Sequence, residues 1–249
     1  MILIRLDYFD LISPYPLKID SVGSIKSPTL REIAALSYYT YGLYITCLKK
    51  STEYSVILHD DSFAKIIEQA LDFFFVEKVL YDKERGIFLI VNETQSETED
   101  SDAEGTIHGF IGRQNYASIV SLILQRLYVT AGDSEAADMS KITNKRGRQI
   151  YEKMLKGRKK LNEAKAKQVN DDLTLPNIIS SVAAFSKNTN YHQIWELTVY
   201  QLFDLFDRLQ IIDRYDIQTT QVSVWGDKQN TFELGLWNKN IYSTKHKNS

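Results

Sequence analysis

The chain has 249 residues, of which 43% are hydrophobic and 25% are charged, a composition typical of a globular protein with a sizeable core. Its formal net charge of −2 creates no global field that would attract DNA or an anionic membrane. Cys47 is the only cysteine, which excludes an internal disulfide and favours a reducing compartment. We find no apolar run as long as the ~20 residues of a membrane span and expect no signal peptide.

The first part of the chain, residues 1–112, is predicted to be a mixed α/β region. Residues 12–25 alternate apolar and polar side chains after two prolines, which predicts an extended stretch or edge strand. Thr29 and Glu32 have the spacing of a capping box and open a helix. The apolar positions at helical spacing predict its buried face, formed by Ile33, Leu36, Tyr39, Leu43, Tyr44 and Cys47.

A second helix is predicted to begin at Asp61 or Ser62, either of which can cap it. Residues 75–81 and 87–91 are rich in β-branched and aromatic side chains and flank a connection that ends in Gly86, a pattern that predicts a β-hairpin. The buried stripe of the helix is expected from Phe63, Ile66, Ile67, Ala70, Leu71 and Phe74.

Residues 93–104 contain six acidic side chains and, apart from Ala103, no apolar one. Burial cannot offset the entropy lost on ordering such a segment, so we predict a mobile acidic loop. Residues 106–111 are expected to return as a short strand.

The second part, residues 113–249, is predicted to be helical. An apolar stripe begins at Tyr116 and ends at Leu127, and another helix is predicted over residues 175–185, with Thr174 as its cap and Pro176 in its first turn. Between them, residues 141–168 carry eleven Lys or Arg and only two acids, which predicts a basic helix with an intermittent apolar face.

The most aromatic helix is predicted after Trp195. Thr198 and Gln201 have capping-box spacing, and the stripe that follows should lie in the C-terminal core. We expect Asp204 and Asp207 to be solvated beside that stripe, with Arg208 paired to Asp204 at i+4. The stripe consists of Val199, Leu202, Phe203, Phe206 and Leu209.

The sequence contains no recognisable catalytic chemistry. The four histidines have no zinc-ligand spacing, and no nucleophile elbow, P-loop or dinucleotide-binding glycine pattern is present. Cys47 lies in an apolar stripe and is interpreted as a buried hydrophobic residue. We therefore expect no metal, no cofactor and no enzymatic activity.

The basic segment is compatible with two interpretations. Its cations could neutralise phosphates along a nucleic acid, or they could solvate a helix that packs through one side. Tyr151 is the only aromatic residue within it, so support from base stacking is small, and the solvated helix is favoured.

Three fragments resemble proteins encoded in the structural gene modules of tailed phages of Gram-positive hosts. They are residues 12–33, the hairpin with the helix at Tyr116, and residues 194–201 with Trp237. Within these modules the chain resembles tail assembly chaperones. That resemblance implies a helical cytoplasmic protein that coats the tape-measure protein while the tail tube polymerises.

Together these observations predict an α+β, predominantly helical protein with a small antiparallel sheet in its N-terminal half. The favoured function is that of a non-enzymatic tail assembly chaperone in the host cytoplasm, which binds a helical virion protein. Such a protein could also form a homo-oligomer. The alternatives are a permanent component of the virion neck, tail or baseplate, or a nucleic-acid-binding protein. The candidate interaction surface consists of Arg146, Arg158, Lys159, Lys160, Trp195, Tyr200, Phe203 and Phe206.

Overall fold

A computed structural model describes residues 5–50, 54–92, 106–129, 174–227 and 230–242. The predicted acidic loop at 93–104 and the basic helix at 141–168 lie outside these residues. The elements, in chain order, are α1 (Tyr8–Ile12), β1 (Leu17–Ile19), β2 (Gly23–Ile25), α2 (Leu30–Leu36), α3 (Tyr38–Lys50), α4 (Tyr54–His59), α5 (Asp61–Phe74), β3 (Lys78–Asp82), β4 (Ile87–Asn92), β5 (Thr106–Ile111), α6 (Tyr116–Arg126), α7 (Leu175–Phe185), α8 (Tyr191–Ile194), α9 (Val199–Trp225) and a 3₁₀ turn (Leu236–Asn238).

The fold is α+β and mostly helical, as predicted. Strands β1 and β2 form an antiparallel pair, and β3, β4 and β5 form an antiparallel sheet in that order. The predicted hairpin and its returning strand are therefore confirmed. One hydrophobic core contains residues from both sides of position 112, and the division of the chain at that position remains a prediction.

The inner face of the β3–β4–β5 sheet forms the centre of the core. Phe88 of β4 is fully buried, and its ring lies 6.5 Å from that of Tyr54 and 6.4 Å from that of Tyr116. The predicted stripe of α5 is buried against this core at Ile67, Ala70, Leu71 and Phe74, which confirms it. The cap is Asp60, one residue earlier than expected, because its carboxylate accepts from the backbone N–H groups of Ser62 and Phe63.

The helix predicted after Thr29 is interrupted at Ser37. The capping box of Thr29 and Glu32 forms as expected, but Ser37 has a φ of 90° and separates α2 from α3. The interruption changes the phase of the apolar stripe, so the expectation that Tyr39 and Leu43 are buried is wrong. Tyr39 is 82% exposed and Leu43 is 39% exposed, whereas Tyr41 is buried.

The segment before α2 contains more structure than the single extended stretch that was predicted. Residues 12–25 begin at the end of α1 and then form the β1–β2 pair, whose turn includes Ser21 at a φ of 60°. Arg126 of α6 is hydrogen-bonded to this segment and to a residue that follows it. Arg126 is 2% exposed, and its guanidinium donates to Ser27 Oγ at 2.6 Å and to the Tyr15 carbonyl at 2.6 Å.

The outer edge of β3 is closed by two side chains of α5. Asp72 Oδ1 accepts from the backbone N–H of Val79 at 3.0 Å, and Glu68 Oε1 accepts from the backbone N–H of Tyr81 at 3.0 Å. Because an unpaired strand edge is a template for another strand, these two carboxylates remove the donors that an added strand would use.

Helix α9 begins in the core and ends outside it. The capping box of Thr198 and Gln201 forms as predicted, and Val199 and Leu202 are buried, while Phe203 and Phe206 are half-buried and pack against the core. The helix extends to Trp225, well beyond the stripe that the sequence analysis identified, and none of its residues after Asp204 is buried.

The expectation for the acidic residues of α9 is wrong. Asp204 is 9% exposed and accepts from Tyr8 Oη at 2.9 Å, and Asp207 accepts from Tyr128 Oη. Arg208 donates to the carbonyls of Trp237 and Lys239 at 3.1 and 2.9 Å instead of pairing with Asp204. These partners come from distant parts of the chain, so they could not be read from the spacing on one helix.

Candidate partner-binding groove

An open apolar groove lies between α2 and α7, and α8 contributes to its lining. It encloses about 290 Å³. One wall comes from α2 and the first residue of α3, and the other comes from α7, α8 and the residue after α8. The lining residues are Leu30, Ile33, Ala34, Tyr38, Leu175, Pro176, Ile179, Ser180, Tyr191 and Trp195.

Two helix starts meet beneath the groove. Thr29 caps α2 and Thr198 caps α9, and the two residues form an antiparallel β-bridge. The first backbone N–H groups of a helix have no acceptor within the helix. Here the N–H of Leu30 donates to the Leu197 carbonyl and the N–H of Arg31 donates to the Trp195 carbonyl, each at 2.9 Å. The two walls are thus joined by backbone hydrogen bonds.

The groove has a buried floor and an exposed aromatic rim. Leu30 and Ile33 are 1% and 3% exposed, whereas Tyr38 and Tyr191 are 51% and 54% exposed. Within the part of the chain that the structure describes, its walls carry no carboxylate, imidazole, amine or thiol. Arg31 and Glu196 form an exposed ion pair next to it. The hydroxyls of the groove are those of Tyr38, Ser180 and Tyr191, and the rest of the surface can bind apolar side chains.

The structure places the predicted interaction residues in different environments. Trp195 lines the groove. Tyr200 is 4% exposed and packs with its ring 5.4 Å from that of Tyr128, on which Phe203 also stacks at 4.6 Å. Phe206 is half-buried beside the core. The four cations Arg146, Arg158, Lys159 and Lys160 lie outside the described residues, and the binding role of the whole set remains a prediction.

Sequence reasoning missed most of the groove. Ile33 was predicted to be part of a buried helical face, and Pro176 was interpreted only as a first-turn residue. Both predictions are compatible with the structure, but neither indicates that α2 faces α7. The relevant contacts join residues more than 140 positions apart, and no local pattern records such a pairing.

A polar cluster outside the groove joins the N-terminal segment to α9. Burial, reinforced by the hydrogen bond to Asp204, raises the pKa of Tyr8 to about 12. Burial and the hydrogen bond to Asp207 likewise raise the pKa of Tyr128. Both phenols therefore remain protonated donors at neutral pH. Tyr242 packs on Tyr8 at 5.3 Å and donates to the Leu6 carbonyl at 2.8 Å, so the cluster joins structural elements and does not form an open site.

Two kinds of feature are absent from the described ranges. No group of three or more His, Cys, Asp or Glu side chains there is arranged to hold a metal ion. Among the helices of those ranges, none combines the length and the apolar character needed to cross a membrane.

Comparison with known proteins gives one match. Residues 164–242 match the family model described as the YomV second domain, a family derived from Bacillus phage. No curated protein and no solved structure matches the chain. The matched range covers less than half of the chain but includes α7, α8 and α9. One wall of the groove, including Trp195, therefore lies in the part of the chain that is similar to a phage-derived family.

Proposed function

We propose that this protein is a non-enzymatic phage morphogenesis factor that acts as a tail assembly chaperone in the host cytoplasm. In this proposal the groove binds an amphipathic helix of a virion protein such as the tape-measure protein. The observation that carries the proposal is the groove itself, because an apolar floor with an exposed aromatic rim is the surface that amphipathic helices use.

The size of the groove supports a helix over a small ligand. Sites for drug-sized ligands and cofactors usually enclose about 300–1,000 Å³ and contain a few convergent polar groups. The groove lies at the lower limit of that range, and its described walls are almost entirely apolar. It fits a few anchor side chains, such as those at positions i, i+3 and i+4 of one helix face.

The phage context has two supports, which overlap at residues 194–201 and Trp237. The match of residues 164–242 to a phage-derived family includes one wall of the groove, and the resemblance found in three sequence fragments also involves a phage structural module. The assignment to a chaperone, as distinct from another morphogenesis role, rests on that resemblance and on the helix-binding geometry.

The test uses two neighbouring alanines of α2 as a matched pair. Ala34 lines the groove and Ala35 does not, and both are exposed. The full chain is co-expressed with the tape-measure protein of the same genome. We expect the wild-type protein and the Ala35→Arg variant to keep the tape-measure protein soluble and to co-purify with it. Ala34→Arg, which fills the groove with a charged side chain, should lose the complex.

Two results would contradict the proposal. Equal capture by both variants would remove the groove from the interaction, and no capture by the wild-type protein would remove the chaperone assignment. Detection of the protein in purified virions would favour a permanent structural component.

The nucleic-acid alternative rests on the charge of residues 141–168 and has a separate test. A phosphate-binding segment would give binding whose affinity falls steeply with salt, and changing Arg158, Lys159 and Lys160 to Gln would weaken it. We expect negligible binding to a random oligonucleotide at physiological salt, before and after the triple change.

A further inference from the structure

The outer face of the β3–β4–β5 sheet is apolar and open. Leu80, Leu89 and Phe110 lie side by side across the three strands, and Val91 lies next to Ile107 in the neighbouring row. Leu80, Phe110 and Ile107 are 44%, 54% and 57% exposed. An antiparallel sheet with one solvated face usually shows polar side chains on it. We call this set of five residues the outer sheet face.

Side-chain docking is a better use of this surface than strand addition at β3. The backbone N–H groups of Val79 and Tyr81 already donate to Asp72 and Glu68, so the edge of β3 offers fewer free donors to an added strand. An occupant would instead cover the exposed apolar side chains, and a contiguous patch of this kind marks an interaction surface.

The charge next to the outer sheet face favours a basic occupant. Asn92 and Thr106 are paired at the end of β4 and β5, and the chain between them carries the six acids of residues 93–104. In the sequence, Glu93 follows Val91 by two positions and Glu104 precedes Ile107 by three. An occupant with apolar side chains and Lys or Arg would therefore match both the face and its surroundings.

The chain itself supplies a segment of this chemistry. Residues 141–168 combine eleven cations with Ile150, Met154, Leu155 and Leu161. Lys141 follows Val129 by 12 positions and Thr174 follows Gln168 by 6, so the two connections can span at most about 40 Å and about 20 Å when extended. The segment is therefore tethered at both ends, to the chain after α6 and to the start of α7.

We propose that residues 141–168 dock on the outer sheet face of their own chain. Covalent connection favours this occupant over a second copy, because a tethered segment has an effective concentration of about 1 mM. The inference goes beyond the proposed function, since the groove between α2 and α7 is built from other elements. It assigns the cations of the segment to an intramolecular contact.

Limited trypsin digestion of the full chain tests the proposal, since trypsin cleaves after Lys and Arg. The double variant Leu80→Ser, Phe110→Ser removes two exposed apolar side chains of the face. We expect cleavage within residues 141–168 to be about tenfold faster in this variant, because cleavage follows the population of the undocked state. Raising the salt to about 0.5 M should also accelerate cleavage of the wild-type protein by screening the charges.

The control is Trp225→Ser, which removes an apolar side chain that is 71% exposed at the end of α9. It should leave the cleavage rate unchanged. Equal rates in the wild type and the double variant, with both still folded by circular dichroism, would overturn the proposal.

A mixed-isotope experiment distinguishes the same chain from a second copy. Light and heavy protein are mixed, and carboxylates are coupled to lysines with a carbodiimide. Links between residues 93–104 and 141–168 should join peptides of one isotope only. Links between light and heavy peptides would overturn the intramolecular assignment, and the absence of any link between the two segments would count against docking beside the acidic residues. None of these results depends on capture of the tape-measure protein.

Discussion

The two faces of the β3–β4–β5 sheet have similar composition but opposite surroundings. On the inner face Phe88 and Ile90 are fully buried under helices, whereas on the outer face Phe110 and Ile107 are more than half exposed. Both faces have the apolar content that normally identifies a core. Apolar side chains on a strand thus indicate a face that favours burial. Only the three-dimensional structure shows whether other elements of the protein pack on that face.

The largest expected difference in stability is between alanine variants of two phenylalanines on adjacent strands. Phe88→Ala deletes a fully buried ring and should reduce the free energy of unfolding by about 3–5 kcal/mol. Phe110→Ala, on the outer sheet face, should reduce it by only about 1 kcal/mol, because the ring contributes to the contact with the docked segment and not to the buried core. Urea unfolding followed by circular dichroism measures both. A similar loss for the two variants would show that the outer face is as well covered as the inner one.

A smaller effect is expected from filling space on the inner face. A Cβ added at Gly109 would lie 2.6 Å from the Val22 carbonyl and would also meet that of Ser21. Since both obstacles are backbone atoms, Gly109→Ala should destabilise the protein by about 1–3 kcal/mol.

The control for this change is Gly42→Ala within α3, where nothing lies within 4 Å of the added atom. It should stabilise the helix by about 0.5–1 kcal/mol. If Gly109→Ala proved neutral or stabilising, the close approach of β5 to the β1–β2 turn would be refuted.

Two threonines of α9 extend the comparison to the helix that leaves the core. Thr198 is 1% exposed and caps the helix next to Thr29, so Thr198→Ala should cost about 1 kcal/mol. Thr219 is exposed and donates only to the carbonyl of Tyr215 in the same helix; its replacement by Ala should be close to neutral. Melting temperatures of the two variants provide the measurement, and equal shifts would contradict a special role for the cap.

The last effect appears only at high pH. Tyr54 lies in the core below the inner face, and burial raises its pKa to about 12, above the ~10 of an unfolded tyrosine. A raised pKa in the folded state means that stability is retained below pH 10 and is lost as the pH rises from 10 toward 12. Tyr54→Phe should therefore reduce the drop in stability above pH 10. Tyr39→Phe, at an exposed position, should not, and an unchanged profile for Tyr54→Phe would contradict the assignment.

The features that could be predicted from the sequence are local ones. The capping boxes at Thr29 and Thr198 depend on residues three positions apart, and the hairpin before β4 depends on one short connection. The break at Ser37 was missed because a positive φ on a serine has no sequence signal. Asp204 was misassigned because its partner Tyr8 lies 196 positions away. The groove was not anticipated for the same reason, and only Trp195 among the proposed interaction residues lines it.

The closed edge of β3 has a consequence for the protein at high concentration. A protein that accumulates to high concentration remains dispersed only if its strand edges do not pair with those of other copies. Exposed strand edges are the usual starting points for intermolecular β-sheet growth. Asp72 and Glu68 of α5 accept hydrogen bonds from the backbone of β3. Helix α5 thereby opposes the addition of a further strand at this edge. Replacing either carboxylate should increase the aggregation of the folded protein at high concentration and leave its other native contacts in place.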